Sequence, residues 1–174
     1  MNELLSILND KQHKGKAKVA LLSKSFLNGL HESRAIIAAG EITSSTNKTV
    51  LLEALELASQ QNPEIIDATL FDWITASFKD QSPSIKRESA RIVANCCHLF
   101  SSELHEAIEL LLKQTYHEGT VVRWSAAYAL SHIVKLKTPE NDSLIPKIQE
   151  LVLNETNSGV KNQYLKGLKS VGVS

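Results

Sequence analysis

A helical segment recurs at nearly constant spacing along this 174-residue chain. Apolar residues follow one another at steps of three and four, as on one face of an α-helix, and short breaks rich in Gly, Pro, Ser, Thr and Asn separate the runs. The aligned segments begin at positions 50, 85, 122 and 160, which are 35, 37 and 38 residues apart. Each segment follows another amphipathic stretch, so the repeated unit is a helical hairpin. Such a hairpin buries its apolar stripe only by stacking on its neighbours.

The spacing predicts a single all-α domain over residues 1–174, folded as a solenoid of about four helical hairpins. We predict the repeats over residues 30–61, 63–100, 102–137 and 140–172, and their first helices over 32–42, 64–79, 103–116 and 144–154. Residues 1–29 should form an N-terminal helical cap or a degenerate repeat. The last helix combines one polar face with one buried face, so we expect a monomer.

The clearest copy of the repeat resembles a known family. Val122-Arg123, followed by Ala126-Ala127 and Ala129-Leu130, is similar to the second-helix signature of HEAT repeats. The resemblance covers about residues 30–172 and implies a right-handed α-α superhelix. Armadillo-like units are a close structural alternative, whereas the period and aromatic signature of tetratricopeptide repeats do not fit.

The resemblance also implies a ladder of charged side chains. In HEAT arrays an acidic residue stands shortly before the second helix and a basic residue near its start, and together they link neighbouring turns. The corresponding residues in this sequence are Asp80 with Lys86, Glu118 with Arg123, and Glu155 with Lys161. We expect this ladder to stabilise the stack rather than to bind a ligand, at about 0–1 kcal/mol for each exposed link.

One face of the second helices supplies the candidate binding residues. Positions two, six and ten after the start of each copy are close to one turn apart, so they share a face. Because second helices line the concave surface of HEAT-like solenoids, the resemblance implies that these positions form a groove. The candidate partner-binding residues are Arg87, Arg91, Asn95, Trp124, Tyr128, His132, Asn162 and Lys166.

The aromatic pair Trp124 and Tyr128 has two interpretations. Aromatic residues at helical spacing usually pack in the core, because they gain a large area by burial, so the pair can simply support the next repeat. Alternatively the pair anchors a partner, since Trp, Tyr and Arg often dominate binding energy. Trp73 lies among Phe71 and Ile74 on a first helix, and we assign it to the core.

Motifs that would indicate catalysis are missing from the sequence. The chain has no Gly-rich phosphate loop, no zincin motif and no nucleophile elbow, so we expect neither enzymatic activity nor a cofactor. Cys96 and Cys97 are adjacent, and adjacent side chains on a helix point about 100° apart. We therefore expect a buried structural pair and no metal site. With no secretory signal, membrane span or disulfide framework in the sequence, we expect a cytoplasmic location and no membrane contact.

These features together predict a non-catalytic scaffold that binds a protein or peptide in its concave groove. A partner of acidic character would suit Arg87, Arg91 and Lys166. The first alternative is a DNA-binding protein similar to HEAT-like alkylation-repair proteins, although the formal net charge of zero disfavours it. Its phosphate contacts would come from Arg87, Arg91, Arg123, Lys161 and Lys166. The second alternative, a phycobilisome-lyase-like HEAT protein, rests on fold analogy.

Overall fold

Ten α-helices joined by short connections form the chain in this computed structural model, which describes residues 2–173. The helices are α1 (Asn2–Asn9), α2 (Lys16–Leu27), α3 (Ser33–Ile42), α4 (Ser45–Gln61), α5 (Ala68–Ala76), α6 (Pro83–Cys96), α7 (His105–Gln114), α8 (Thr120–Val134), α9 (Asn141–Asn154) and α10 (Ser158–Ser170). Short 3-10 turns occupy Pro63–Ile65, Ser77–Lys79 and Cys97–Phe100. The described range contains no strand, which confirms the all-α prediction. Within the same range, no helix has the length and apolar character needed to cross a membrane.

Polar side chains cap the starts of several helices. Ser44 accepts a hydrogen bond from the backbone N–H of Asn47 at the start of α4, at 3.2 Å. Asp67 accepts one from the backbone N–H of Leu70 at the start of α5, at 2.8 Å. Each cap satisfies a donor that has no partner inside the helix. The cap at Asp67 also explains why the stretch 64–79 is not the single helix predicted from the sequence.

The helices form two layers of unequal density. Helices α2, α4, α6, α8 and α10 pack side by side in succession and form the inner layer, whereas α3, α5, α7 and α9 form a more loosely packed outer layer. Helices on the inside of a bend lie closer together than those on the outside, so the inner layer occupies the concave side of the solenoid. Helix α2 packs on α4 much as the later members of the inner layer pack on one another. The hairpin of α1 and α2 therefore continues the stack.

A continuous core lies between the layers. Leu55 of α4, Val93 of α6 and Leu130 of α8 are fully buried in it. Trp73 is also buried, and its indole Nε1 donates a hydrogen bond to Glu41 at 2.7 Å, so its assignment to the core is confirmed.

The two cysteines, Cys96 and Cys97, are free thiols buried in the same core. Burial raises the pKa of the Cys97 thiol to about 11 and raises that of Cys96 as well. Because the thiolate is the reactive form, both side chains behave as small apolar core residues.

Candidate functional site

Three rings form a continuous aromatic strip along the exposed side of α8: Trp124, Tyr128 and His132. The Trp124 and Tyr128 rings are stacked, with centroids 5.3 Å apart and planes within 8° of parallel. The His132 ring follows, 4.5 Å from the Tyr128 ring and tilted by 52°. Residues four apart lie on one helix face, which brings the rings together. All three side chains are half-buried, so the strip rests against the core on one side and is open to solvent on the other.

Next to the strip lies a cleft of about 320 Å³, which is lined by Trp124 and by residues of α10. The residues lining this α8–α10 cleft are Trp124, Gly159, Asn162, Gln163, Leu165, Lys166 and Lys169. The α10 side of the cleft thus combines two amides and two lysines with the apolar side chain of Leu165. A second cleft of about 430 Å³ shares Leu165 and Lys169 with the first and continues to Gly172 and Val173. Together the two clefts give an elongated path across α10.

The position of α10 against α8 depends on Gly167. A Cβ atom at this residue would lie 2.9 Å from the Cα of Ser131 and 3.1 Å from Cγ1 of Val134. The absence of a side chain thus lets the two helix backbones approach closely. This approach places Lys166, the neighbour of Gly167, across the cleft from Trp124.

Arg87 and Arg91, which the sequence places in the groove, are engaged by carboxylates in an α4–α6 ion cluster with Glu53, Glu56 and Glu88. Arg87 Nε donates to Glu88 Oε1 at 2.5 Å, and its Nη2 lies 3.4 Å from Glu53 Oε1. Arg91 Nη2 lies 2.9 Å from Glu56 Oε1 and its Nη1 3.9 Å from Glu88 Oε2. Glu56 and Glu88 are only 6% and 2% exposed, whereas the side chains of Glu53, Arg87 and Arg91 are each about one-third exposed, so the cluster extends from the interior to the surface.

The ion cluster contains one more carboxylate than guanidinium. Burial, together with the negative charge of Glu88, raises the pKa of Glu53 above its ordinary value despite the two nearby arginines. An acidic ligand would gain little there, because both guanidinium groups already neutralise buried carboxylates. The contacts therefore show that Arg87 and Arg91 help to hold α6 on α4, and the partner-binding role expected from the sequence stays a prediction.

Asn95 is also engaged within the stack. Its Nδ2 donates to the Glu56 carbonyl at 3.3 Å and to Ser59 Oγ at 3.0 Å. Like the two arginines of α6, it links α6 to α4. Of the eight candidate residues, Asn162 and Lys166 on α10 are exposed, whereas the three on α6 and the three on α8 are half-buried.

Arg123 makes the strongest link of the charged ladder. Its Nε and Nη2 lie 3.0 Å and 3.4 Å from the two carboxylate oxygens of Glu155, and its Nη1 donates to the backbone carbonyls of His117 and Glu118 at 3.0 and 2.9 Å. Burial by itself raises the pKa of Glu155, but the hydrogen bonds from Arg123 and from the Asn157 backbone hold it below its ordinary value. The guanidinium thus ties the start of α8 to the turn before α10.

A second link has the same direction along the chain. Lys48 Nζ lies 3.6 Å from Asp80 Oδ2, one repeat later, and 5.4 Å from the centroid of the Trp73 ring. In both links the basic residue pairs with the acidic residue of the following repeat. Lys86 and Lys161, the other basic residues expected in the ladder, form no ion pair within 4.0 Å among residues 2–173.

Burial, with the charge of Lys135 nearby, lowers the pKa of His132 from 6.5. The folded chain therefore keeps this imidazole neutral at a pH where the unfolded chain already binds a proton, so acid weakens the fold below about pH 6.5. We expect the free energy of unfolding, measured with urea, to fall between about pH 7 and pH 5. His132→Gln should reduce that fall, because the variant lacks the group that binds the extra proton on unfolding. An identical fall in the variant would show that His132 does not contribute.

The described part of the chain holds no group of three or more His, Cys, Asp or Glu side chains arranged to bind a metal ion. The polar groups of the site are instead hydrogen-bonding amides and lysine ammonium groups placed beside aromatic rings. This arrangement can bind a ligand through apolar contact, hydrogen bonds and positive charge. The comparison of the repeats did not identify Gln163, Leu165 and Lys169. It considered only the residues two, six and ten positions after the start of each copy, and these three lie at other positions.

The fold is similar to that of several helical-repeat proteins. A designed armadillo repeat protein in complex with the peptide (KR)4 superimposes with a TM-score of 0.71 and 15% identity, over 97% of this chain and 80% of the designed one. A second designed armadillo repeat protein has a TM-score of 0.71 and 14% identity, over 97% and 81% of the two chains.

A natural protein gives a similar match. A chain from the complex of CpcE and CpcF of phycocyanin lyase from Nostoc sp. PCC7120 has a TM-score of 0.71 and 16% identity, over 95% of this chain and 98% of the lyase chain. The sequence itself matches no protein-family model and no curated protein. At these identities the likeness concerns the fold alone. This chain therefore has the fold of helical-repeat proteins of the HEAT/armadillo type.

Proposed function

We propose that this chain is a non-catalytic scaffold that binds an extended segment of another protein across α8 and α10. The observation that carries the proposal is the half-exposed aromatic strip beside the α8–α10 cleft. If the strip served only to pack the repeats together, its rings could be fully buried. Instead one face of the strip is open to solvent, beside a cleft that also contains the Asn162 amide and Lys166. Apolar area combined with a few polar groups is typical of binding sites.

The strip is suited to binding because its rings are already ordered. Trp124 and Tyr128 stack on each other and rest on the core, so a ligand does not have to immobilise them. Removing about 100 Å² of apolar ring surface from water would contribute about 2.5 kcal/mol. A single apolar side chain placed against Trp124 therefore supplies a useful part of the affinity of a short segment.

The designed armadillo protein holds a peptide, which supports the use of this fold as a peptide-binding scaffold. That peptide, (KR)4, is basic. The clefts at α10 of this chain are lined by lysines, so a basic peptide would be repelled there.

A second candidate function is that of one subunit in a lyase-like complex of two proteins. It is favoured by the match to the phycocyanin lyase chain, which extends over nearly the full length of both chains. The candidate predicts that an open-chain tetrapyrrole, the class of chromophore in phycocyanin, changes its absorbance when this protein is added. An unchanged spectrum at saturating protein would exclude tetrapyrrole binding by this chain alone.

Duplex DNA is the weaker alternative. Three of the five basic residues considered for phosphate contacts, Arg87, Arg91 and Arg123, are paired with carboxylates. Few positive charges are therefore left to release counterions from a phosphate backbone.

The proposal is tested by selecting random displayed peptides on the immobilised wild-type protein and measuring their affinities for two variants. Trp124→Ala should weaken binding about tenfold or more, because it removes the main apolar contact. Tyr116→Ala is the matched control, since Tyr116 is 78% exposed and lies beyond α7 in the outer layer. Peptides that bind both variants as tightly as the wild type would refute the assignment of this site.

A further inference from the structure

Helix α10 carries an unbalanced positive charge. It contains Lys161, Lys166 and Lys169 and no acidic residue. None of these lysines forms an ion pair within 4.0 Å in the part of the chain that the structure describes. The nearby carboxylate of Glu155 is occupied by Arg123. Lys166 and Lys169 are exposed, and both line the α8–α10 cleft.

The opposite side of the aromatic strip has the opposite character. There the α4–α6 ion cluster has an excess of carboxylate, and its two arginines are already paired. The strip on α8 thus lies between a basic surface on α10 and a weakly acidic surface on α4 and α6. This difference gives a bound segment a preferred direction, since like charges close together are unfavourable and opposite charges steer association.

We infer that the α8–α10 cleft recognises an acidic protein segment, in which an apolar side chain contacts Trp124 and flanking carboxylates contact Lys166 and Lys169. This inference rests on the proposed function and names the chemistry of its partner. The Asn162 side chain lines the same cleft and offers both a donor and an acceptor to the backbone of an extended segment. The acidic residues of the segment contact the lysines of α10, and the arginines of α6 do not take part in binding.

The extent of the basic surface also fits an elongated ligand. Lys169 and Leu165 line both the α8–α10 cleft and the adjoining cleft at Gly172 and Val173. A segment anchored at Trp124 can therefore continue over α10 while its carboxylates stay close to lysine ammonium groups. A short acidic peptide has the charge and the shape for this path.

The test uses a fluorescein-labelled peptide in which one leucine is flanked by glutamates, and a matched peptide with lysines in place of the glutamates. By fluorescence anisotropy at low ionic strength, the acidic peptide should bind the wild-type protein and the basic peptide should not. Lys166→Glu combined with Lys169→Glu should weaken binding of the acidic peptide about tenfold or more, because two attractive contacts become repulsive. Added salt should weaken the wild-type interaction in the same direction.

The control is Lys113→Glu combined with Lys147→Glu, which changes the net charge equally but lies on exposed residues of the outer-layer helices α7 and α9. It should leave the affinity close to that of the wild type. Equal losses in both double variants would overturn the inference, since only net charge would then matter. Tighter binding of a duplex oligonucleotide through the same lysines would also overturn it.

The outcomes separate the inference from the proposed function. If selected peptides lose binding on Trp124→Ala but not on the Lys166→Glu, Lys169→Glu variant, the scaffold function stands and the acidic preference fails. If Trp124→Ala has no effect on any selected peptide, the proposed function fails as well.

Discussion

Arg123→Ala should lower the free energy of unfolding by about 2–4 kcal/mol. This is the largest loss that we expect from replacing one partly exposed side chain. The substitution leaves the Glu155 carboxylate, whose side chain is only 8% exposed, without its charged partner. It also removes the donor to the backbone carbonyls of His117 and Glu118. Urea denaturation of the wild type and the variant measures the difference directly.

Lys86→Ala is the matched control for this prediction. Lys86 occupies the position in α6 that corresponds to Arg123 in α8, and it forms no ion pair within 4.0 Å among the described residues. Its replacement should change stability by no more than about 0.5 kcal/mol. Equal losses for the two variants would show that the Arg123–Glu155 link has no special role.

Gly167→Leu should destabilise the fold by about 1–2 kcal/mol through the contact of α10 with α8. The new Cβ would meet the backbone of Ser131 at 2.9 Å, and a backbone cannot move aside as a side chain can. Overpacking typically costs about 1–3 kcal/mol, and removing glycine from a helix regains about 0.8 kcal/mol. The net loss is measurable by thermal or urea unfolding.

Ser170→Leu provides the comparison, because it adds a similar volume to an exposed position on the same helix. We expect its stability to stay within about 0.5 kcal/mol of the wild type. If Gly167→Leu is as stable as Ser170→Leu, the close approach of α8 and α10 does not constrain the stack. A displaced α10 would also widen the cleft beside Trp124, so this variant should bind selected peptides less tightly.

Much of the fold is predictable from the sequence because each hairpin repeats the same physical pattern. Breaks with capping residues, such as Ser44 and Asn157, mark real helix starts, since these side chains satisfy exposed backbone donors. The position of Trp73 in the core follows from its apolar neighbours. The division of the stretch 64–79 into shorter helices was harder to predict. Apolar residues lie on both sides of Asp67, so the sequence pattern continues across the point where Asp67 caps a new helix.

The candidate site was predictable only in part. In stacked repeats, residues at the same position of neighbouring copies lie opposite one another. Glu56 and Arg91 each follow the start of their copy by six residues, and they form an ion pair. An alignment that included acidic residues beside the arginines would have found this pair and Glu88. The half-burial of Trp124 depends on where α10 lies, which is set by contacts between repeats and not by the sequence of α8.

The most direct test of the proposed binding site is the accessibility of Trp124 to acrylamide in the presence of a selected peptide. Trp73→Phe leaves Trp124 as the single tryptophan, so its fluorescence reports on the α8–α10 cleft alone. In the free protein Trp124 should be quenched readily, because its indole is half-exposed. A saturating peptide should protect it from quenching if the segment covers the aromatic strip. Unchanged quenching with the peptide bound would place the binding surface elsewhere and contradict the proposal.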